Sequence, residues 1–124
     1  MARLFLSLGA IFGLLGVAAG AFGAHVLRGR LTPDDLQIFE TAVRYQMYHA
    51  LALLAVGLFS IRFASASATA AGWCFLAGIV IFSGSLYLLV LSGARWWGAV
   101  TPIGGVGFLV GWLFLLWAAL RLEV

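Results

Sequence analysis

The apolar positions of this chain fall into four long blocks: Leu4 to Leu27, Tyr45 to Ile61, Thr69 to Leu91 and Ile103 to Leu120. A run of about 18 apolar residues has the length of a membrane-crossing helix, because a helix rises roughly 1.5 Å per residue and the hydrocarbon core is roughly 30 Å thick. Between the blocks the chain turns polar or charged. Arg62 closes the second block, Arg121 closes the fourth, and "RFASASATA" links the second to the third. The pattern predicts an all-α, polytopic membrane protein: four transmembrane helices in one bundle, forming a single transmembrane domain over residues 1–124. The first block exceeds the core of a cleaved leader, about 7–15 apolar residues, so it is expected to remain as a helix.

The stretch "RLTPDDLQIFETAVRYQMYHA" follows a different pattern. Leu36, Phe39, Val43 and Gln46 or Met47 recur at helical spacing, with polar residues between them. Thr32 suits an N-cap, Pro33 the first helical position, and Asp34 and Asp35 the positive end of the helix dipole. Glu40 and Arg44 are four apart in the favourable order. The pattern predicts an amphipathic, interfacial helix over 33–44 that leads into the second span as one helix. "TPIGG" at 101–105 repeats the Thr-Pro start for the fourth.

Composition sharpens the class. Hydrophobic residues make up 65% of the chain and charged residues 9%, against about a quarter charged in a soluble domain. A chain this small cannot hide that much apolar surface in its own core. The basic residues are all arginines. They are too few and too scattered for a nucleic-acid surface. Arg28, Arg30 and Arg95, with Trp96 and Trp97, read as interfacial anchors. Arg3, Arg62 and Arg121 fall on one side of the four spans and Arg28, Arg30, Arg44 and Arg95 on the other, so the arginine count does not decide orientation. The lone Cys74 forms no disulfide within the chain.

Polar groups inside the blocks gather toward one end of the bundle. His25 lies near the end of the first block, Tyr45, Gln46, Tyr48 and His49 open the second, Ser83, Ser85 and Tyr87 lie in the later half of the third, and Thr101 precedes the fourth. This arrangement predicts His25 and His49 at similar depth. Intramembrane polar groups are costly unless paired. His25, Tyr45, Gln46, His49, Ser83, Ser85 and Tyr87 are therefore either a ligand pocket or an interhelical hydrogen-bond network. A lipid head group, a quinone-like molecule or a metal would suit the pocket. Metal would need a third ligand from Glu40, Gln46 or another chain, so no metal site is assigned.

Glycine forms a second pattern. Gly9, Gly13, Gly16, Gly20 and Gly23 are spaced 4, 3, 4 and 3 residues apart, a stripe on one helix face. Gly104, Gly107 and Gly111 repeat it on the fourth span. Small residues let membrane helices approach closely. The stripe joins helices of one chain or of two; the spacing alone leaves both open.

"GAFGAHVL" (20–27), "YQMYHALALL" (45–54), "FSGSLYLL" (82–89) and "TPIGGVGFLVGW" (101–112) resemble the YgdD-like family of small four-span membrane proteins, in the same order and over nearly the whole chain. The resemblance implies a bacterial inner-membrane location and no assigned activity. Basic tails in some relatives imply that both termini are cytoplasmic; here the tail is only "RLEV". Some relatives carry an acid just before the Tyr-Gln pair, where this chain has Arg44. Two function classes remain. The first is a non-enzymatic membrane protein acting through helix packing or partner binding, with lipids, a homo-oligomer or another membrane protein as partners. The second is a small ligand binder or transporter using the polar cluster. No span carries a carboxylate and the chain has no nucleophile–base motif, so neither an enzyme nor a cofactor is expected.

Overall fold

The computed structural model describes residues 1–122, and they are all helix and short connections. The elements are α1 (Ala2–His25), α2 (Pro33–Arg62), α3 (Ala66–Gly78), α4 (Gly84–Ser92) and α5 (Thr101–Leu120). A π-helical turn, Ile79–Ser83, joins α3 to α4 as one rod. Short 3-10 turns at Leu27–Gly29 and Arg95–Ala99 complete the corners. The result is four rods. Three of them, Ala2–Gly29, Ala66–Ser92 and Arg95–Leu120, are long and apolar enough to cross a membrane.

The exception is α2, expected as the second of four spans. It is the longest helix, at 30 residues. Its first half carries Asp34, Asp35, Glu40 and Arg44, and its middle carries Tyr45, Gln46, Tyr48 and His49. These dilute a run that is apolar only from Ala50 onward. The 33–44 segment, expected to lie along the interface, is the start of this same unbroken helix and packs on α1. Thr32 caps it as expected: the Asp35 backbone N–H donates to Thr32 Oγ1 at 3.2 Å, and Pro33 occupies the first turn. Ser65 caps α3 in the same way, accepting from the Ala68 N–H at 3.2 Å.

Helices α1 and α2 form an antiparallel hairpin, and glycines set its spacing. A Cβ at Gly9 would lie 2.8 Å from the Leu54 side chain, and one at Gly23 would lie 2.9 Å from the Phe39 ring. At Gly16 it would overlap Met47, and at Gly20 it would touch Val43. These four glycines therefore face α2 of the same chain. Gly13 differs, since a Cβ there meets nothing within 4 Å. On α5, Gly104 faces the backbone of Phe82 in the π-turn, Gly107 the Cys74 carbonyl, and Gly111 the Phe75 ring.

Two apolar clusters hold the rods. Phe5, Leu53, Val56, Phe75, Ile79 and Phe108 fill the middle of the bundle, drawing on every rod. Leu27, Phe39, Leu89 and Val90 close the end where α2 begins, with Leu31, Leu36 and Trp97 against them.

Candidate functional site

The polar residues of α2 alternate between inward and groove-facing directions because a helix turns roughly 100° per residue. Gln46 points inward and is almost fully buried. Its amide nitrogen donates to the Phe12 carbonyl on α1 at 2.9 Å. Its amide oxygen accepts from the Tyr87 hydroxyl on α4 at 2.7 Å. One side chain thus ties three rods together. The close approach of α1 and α2 beside this link is made at Gly16, where a Cβ would collide with Met47 and come into contact with the Gln46 amide.

The π-turn supplies the next link. Ser83, 1% exposed, donates to the Ala42 carbonyl of α2 at 2.7 Å. Ser85 donates to the Phe82 carbonyl at 2.9 Å and pairs with Thr101 Oγ1 at 2.6 Å. Thr101 also reaches the Trp97 carbonyl at 3.4 Å, so the two hydroxyls share two protons among three contacts. Thr101 was expected to cap its helix as Thr32 does. It is instead the first residue of α5, which has no side-chain cap, and its hydroxyl joins α5 to α4.

His49 carries the link between α2 and α5. Its ring stacks on Phe108 with centroids 3.5 Å apart and planes 6° apart. The Trp112 indole N–H, which can only donate, gives its proton to His49 Nε2 at 3.2 Å. That fixes the tautomer: Nδ1 carries the ring proton and donates to the Tyr45 carbonyl at 2.7 Å. Among the described residues, no buried side-chain nitrogen or oxygen lacks a hydrogen-bond partner.

Beside this network an aromatic groove opens between α2 and α5, with a volume of about 590 Å³. Tyr45, Tyr48 and His49 line it from α2, Phe82 from the π-turn, and Pro102, Phe108 and Trp112 from α5 and its start. Tyr45 packs on Phe82 with ring centroids 4.8 Å apart.

The candidate residues therefore separate. Gln46, Ser83, Ser85 and Tyr87 belong to the buried network; Tyr45 and His49 wall the groove. His25 belongs to neither. It is exposed at the end of α1, at the level of residue 37 of α2 by the Gly23–Phe39 contact. That is roughly 18 Å along the axis from His49, at about 1.5 Å per residue. The expected common depth assumed that the span begins at 45, with 33–44 lying along the interface; instead 33–44 already packs along α1, through Phe39 on Gly23 and Val43 on Gly20. Among the described residues no group of three or more His, Cys, Asp or Glu side chains comes together. The expected Glu40–Arg44 pair is not formed. The ion pair present joins Arg95 to Asp35 at 2.8 Å and clips the α4–α5 corner to the start of α2. Arg28 and Arg30 are exposed, and Trp96 and Trp97 stack on each other with centroids 4.1 Å apart.

Sequence reasoning missed Trp112 and Phe108. The signal was present: Trp112 lies in mid-block, away from either interface, and an indole N–H amid apolar residues needs an acceptor. It also missed the π-turn, which leaves no mark in an evenly apolar stretch.

Apolar rods joined by an internal polar network define a helical membrane protein. Comparison with known proteins agrees. A family profile described as "Protein of unknown function (DUF423)" matches residues 19–105. The chain is 50% identical over 119 residues to the UPF0382 membrane protein SERP0230 of Staphylococcus epidermidis, covering 96% of this chain and 97% of that one. It is 46% identical over 120 residues to the UPF0382 membrane protein YwdK of Bacillus subtilis, covering 96% and 98%. The chain belongs to the DUF423 family of membrane proteins. These relatives carry the UPF0382 name rather than the YgdD-like one that the quoted blocks suggested. No solved structure matches the chain.

Proposed function

We propose that this is a four-span, non-enzymatic protein of the bacterial inner membrane, with both termini cytoplasmic, that works through its lateral surface on lipids or on a membrane-protein partner, including a second copy of itself. The observation that carries it is that, among the described residues, every buried polar side chain is paired with a neighbouring helix or its own backbone. Such a cluster locks helices together and leaves no buried side-chain polar atom unpaired among the described residues. Two distances support the fourth span. Arg44 and Arg62 are 18 residues apart on α2, or about 27 Å along the axis, close to the roughly 30 Å of a hydrocarbon core. Between them Gln46 and His49 face other helices and are buried, while Tyr45 and Tyr48, next to Arg44, are exposed.

A Gln46→Leu variant tests the lock. Interhelical hydrogen bonds in membranes average about 0.6 kcal/mol, so loss of two is expected to lower unfolding stability in detergent by about 1 kcal/mol. The molecules that copurify with the protein should not change. Unchanged stability together with loss of a copurifying molecule would replace the lock with a binding site.

A second reading, a small ligand binder, is favoured by one observation. The groove between α2 and α5 remains open although, among the described residues, every buried side-chain nitrogen and oxygen has a partner.

A further inference from the structure

The groove has a direction. Its α5 wall runs from Pro102 to Trp112, about 15 Å of helix axis, and its α2 wall from Tyr45 to His49. Apolar and aromatic surface makes up nearly all of its lining. His49 and Trp112 are the lining residues with ring nitrogens, and these are already committed, the indole N–H and His49 Nε2 to each other and His49 Nδ1 to the Tyr45 carbonyl. A quinone-like ring buried there would find no free histidine nitrogen for its oxygens. A hydrocarbon chain needs none.

The polar groups that remain are at the outer edge. Arg44 is exposed and forms no ion pair among the described residues. It lies four residues before Tyr48, and therefore one turn further out on the same edge of α2. The hydroxyls of Tyr45 and Tyr48 make no hydrogen bond among the described residues, and both residues are partly exposed. Arg44 is also about 27 Å from Arg62 along the helix, which puts it at the opposite interface once α2 crosses. An apolar slot thus ends at an unpaired guanidinium and two phenols at head-group depth.

We propose that this groove holds one acyl chain of an anionic phospholipid, with the lipid phosphate on Arg44 and the chain against Phe82, Phe108 and Trp112. The arginine supplies charge complementarity and the two phenols supply donors for phosphate or ester oxygens. This rests on the reading that α2 crosses the bilayer, and it turns the second reading above into a defined lipid site.

The test uses the full chain in nanodiscs with equal amounts of phosphatidylglycerol and phosphatidylcholine of identical chains, released into native mass spectrometry. The wild type is expected to retain one phosphatidylglycerol per chain, at least fivefold over phosphatidylcholine. Arg44→Gln should bring the two lipids to parity. Gly105 lines the groove, and a Cβ there meets only Phe82, at 3.8 Å. Gly105→Leu should therefore fill the slot and abolish retention; Val106→Trp is the second filler should the first disturb packing. Equal retention of the two lipids by the wild type overturns the proposal, as does a stably folded filler variant that retains lipid like the wild type. Either failure would leave the stability loss of Gln46→Leu in place, so the site and the lock stand or fall separately.

Discussion

At the residue scale, Gln46 and His49 occupy neighbouring turns of α2 and solve the same problem differently. Gln46 spends both ends of its amide on other helices. His49 spends one nitrogen on its own helix and the other on Trp112, and its ring face on Phe108. A double-mutant cycle with Gln46→Leu and Tyr87→Phe is expected to give a coupling of about 0.5–1 kcal/mol, the size of one interhelical hydrogen bond in a membrane. Strict additivity in the unfolding measurement would mean that the two side chains do not share a bond. His49→Ala removes a stacked ring and leaves the Trp112 indole without its acceptor. It is expected to cost about 2–4 kcal/mol, more than Gln46→Leu, as read by the same unfolding midpoint. That these residues carry the interior was legible in the sequence, because a glutamine and a histidine inside an apolar block need partners. Which partners they have was not. Phe12, bonded to Gln46, and Ala42, bonded to Ser83, contribute only backbone carbonyls, which no side-chain pattern announces.

At the element scale, the glycine stripe of α1 was visible as spacing alone, but its partner depended on where α2 begins. A helix from 33 brings Phe39 and Val43 opposite Gly23 and Gly20. A first half lying along the interface, as the amphipathic pattern suggested, would have left those two glycines without these partners. The same error of register put His25 beside His49 in the sequence reading. The stripe is also uneven in consequence. Gly104→Ala would drive a methyl into the Phe82 backbone, which cannot rotate away as a side chain would. It is expected to cost about 1–3 kcal/mol, the usual cost of overpacking. Gly13→Ala meets nothing and removes a flexible residue from mid-helix, so it is expected to be neutral or to stabilise by about 0.5–1 kcal/mol. Thermal unfolding of the two variants side by side distinguishes a contact seam from glycine that is merely frequent. The π-turn sets a limit on what composition reveals: "IVIFS" reads as ordinary apolar helix, yet there the rod presents its backbone to Gly104 and Ser83 to α2.

At the scale of the whole molecule, α2 decides the topology. Judged by apolarity alone it falls short, and three rods remain that can cross a bilayer. Judged by where its polar groups point, it is the centre of the bundle, bonded to α1, α4 and α5 and to the π-turn. The difference has a parity that can be read directly. With α2 crossing, the two chain ends share one side of the membrane; without it they lie on opposite sides. In a Cys74→Ala background, single cysteines at Ala2, Gly29 and Leu122 can be probed with a membrane-impermeant maleimide in right-side-out and inverted vesicles. The account predicts that Ala2→Cys and Leu122→Cys react from the cytoplasmic side and Gly29→Cys from the other. Labelling of Ala2→Cys and Leu122→Cys from opposite sides would contradict it.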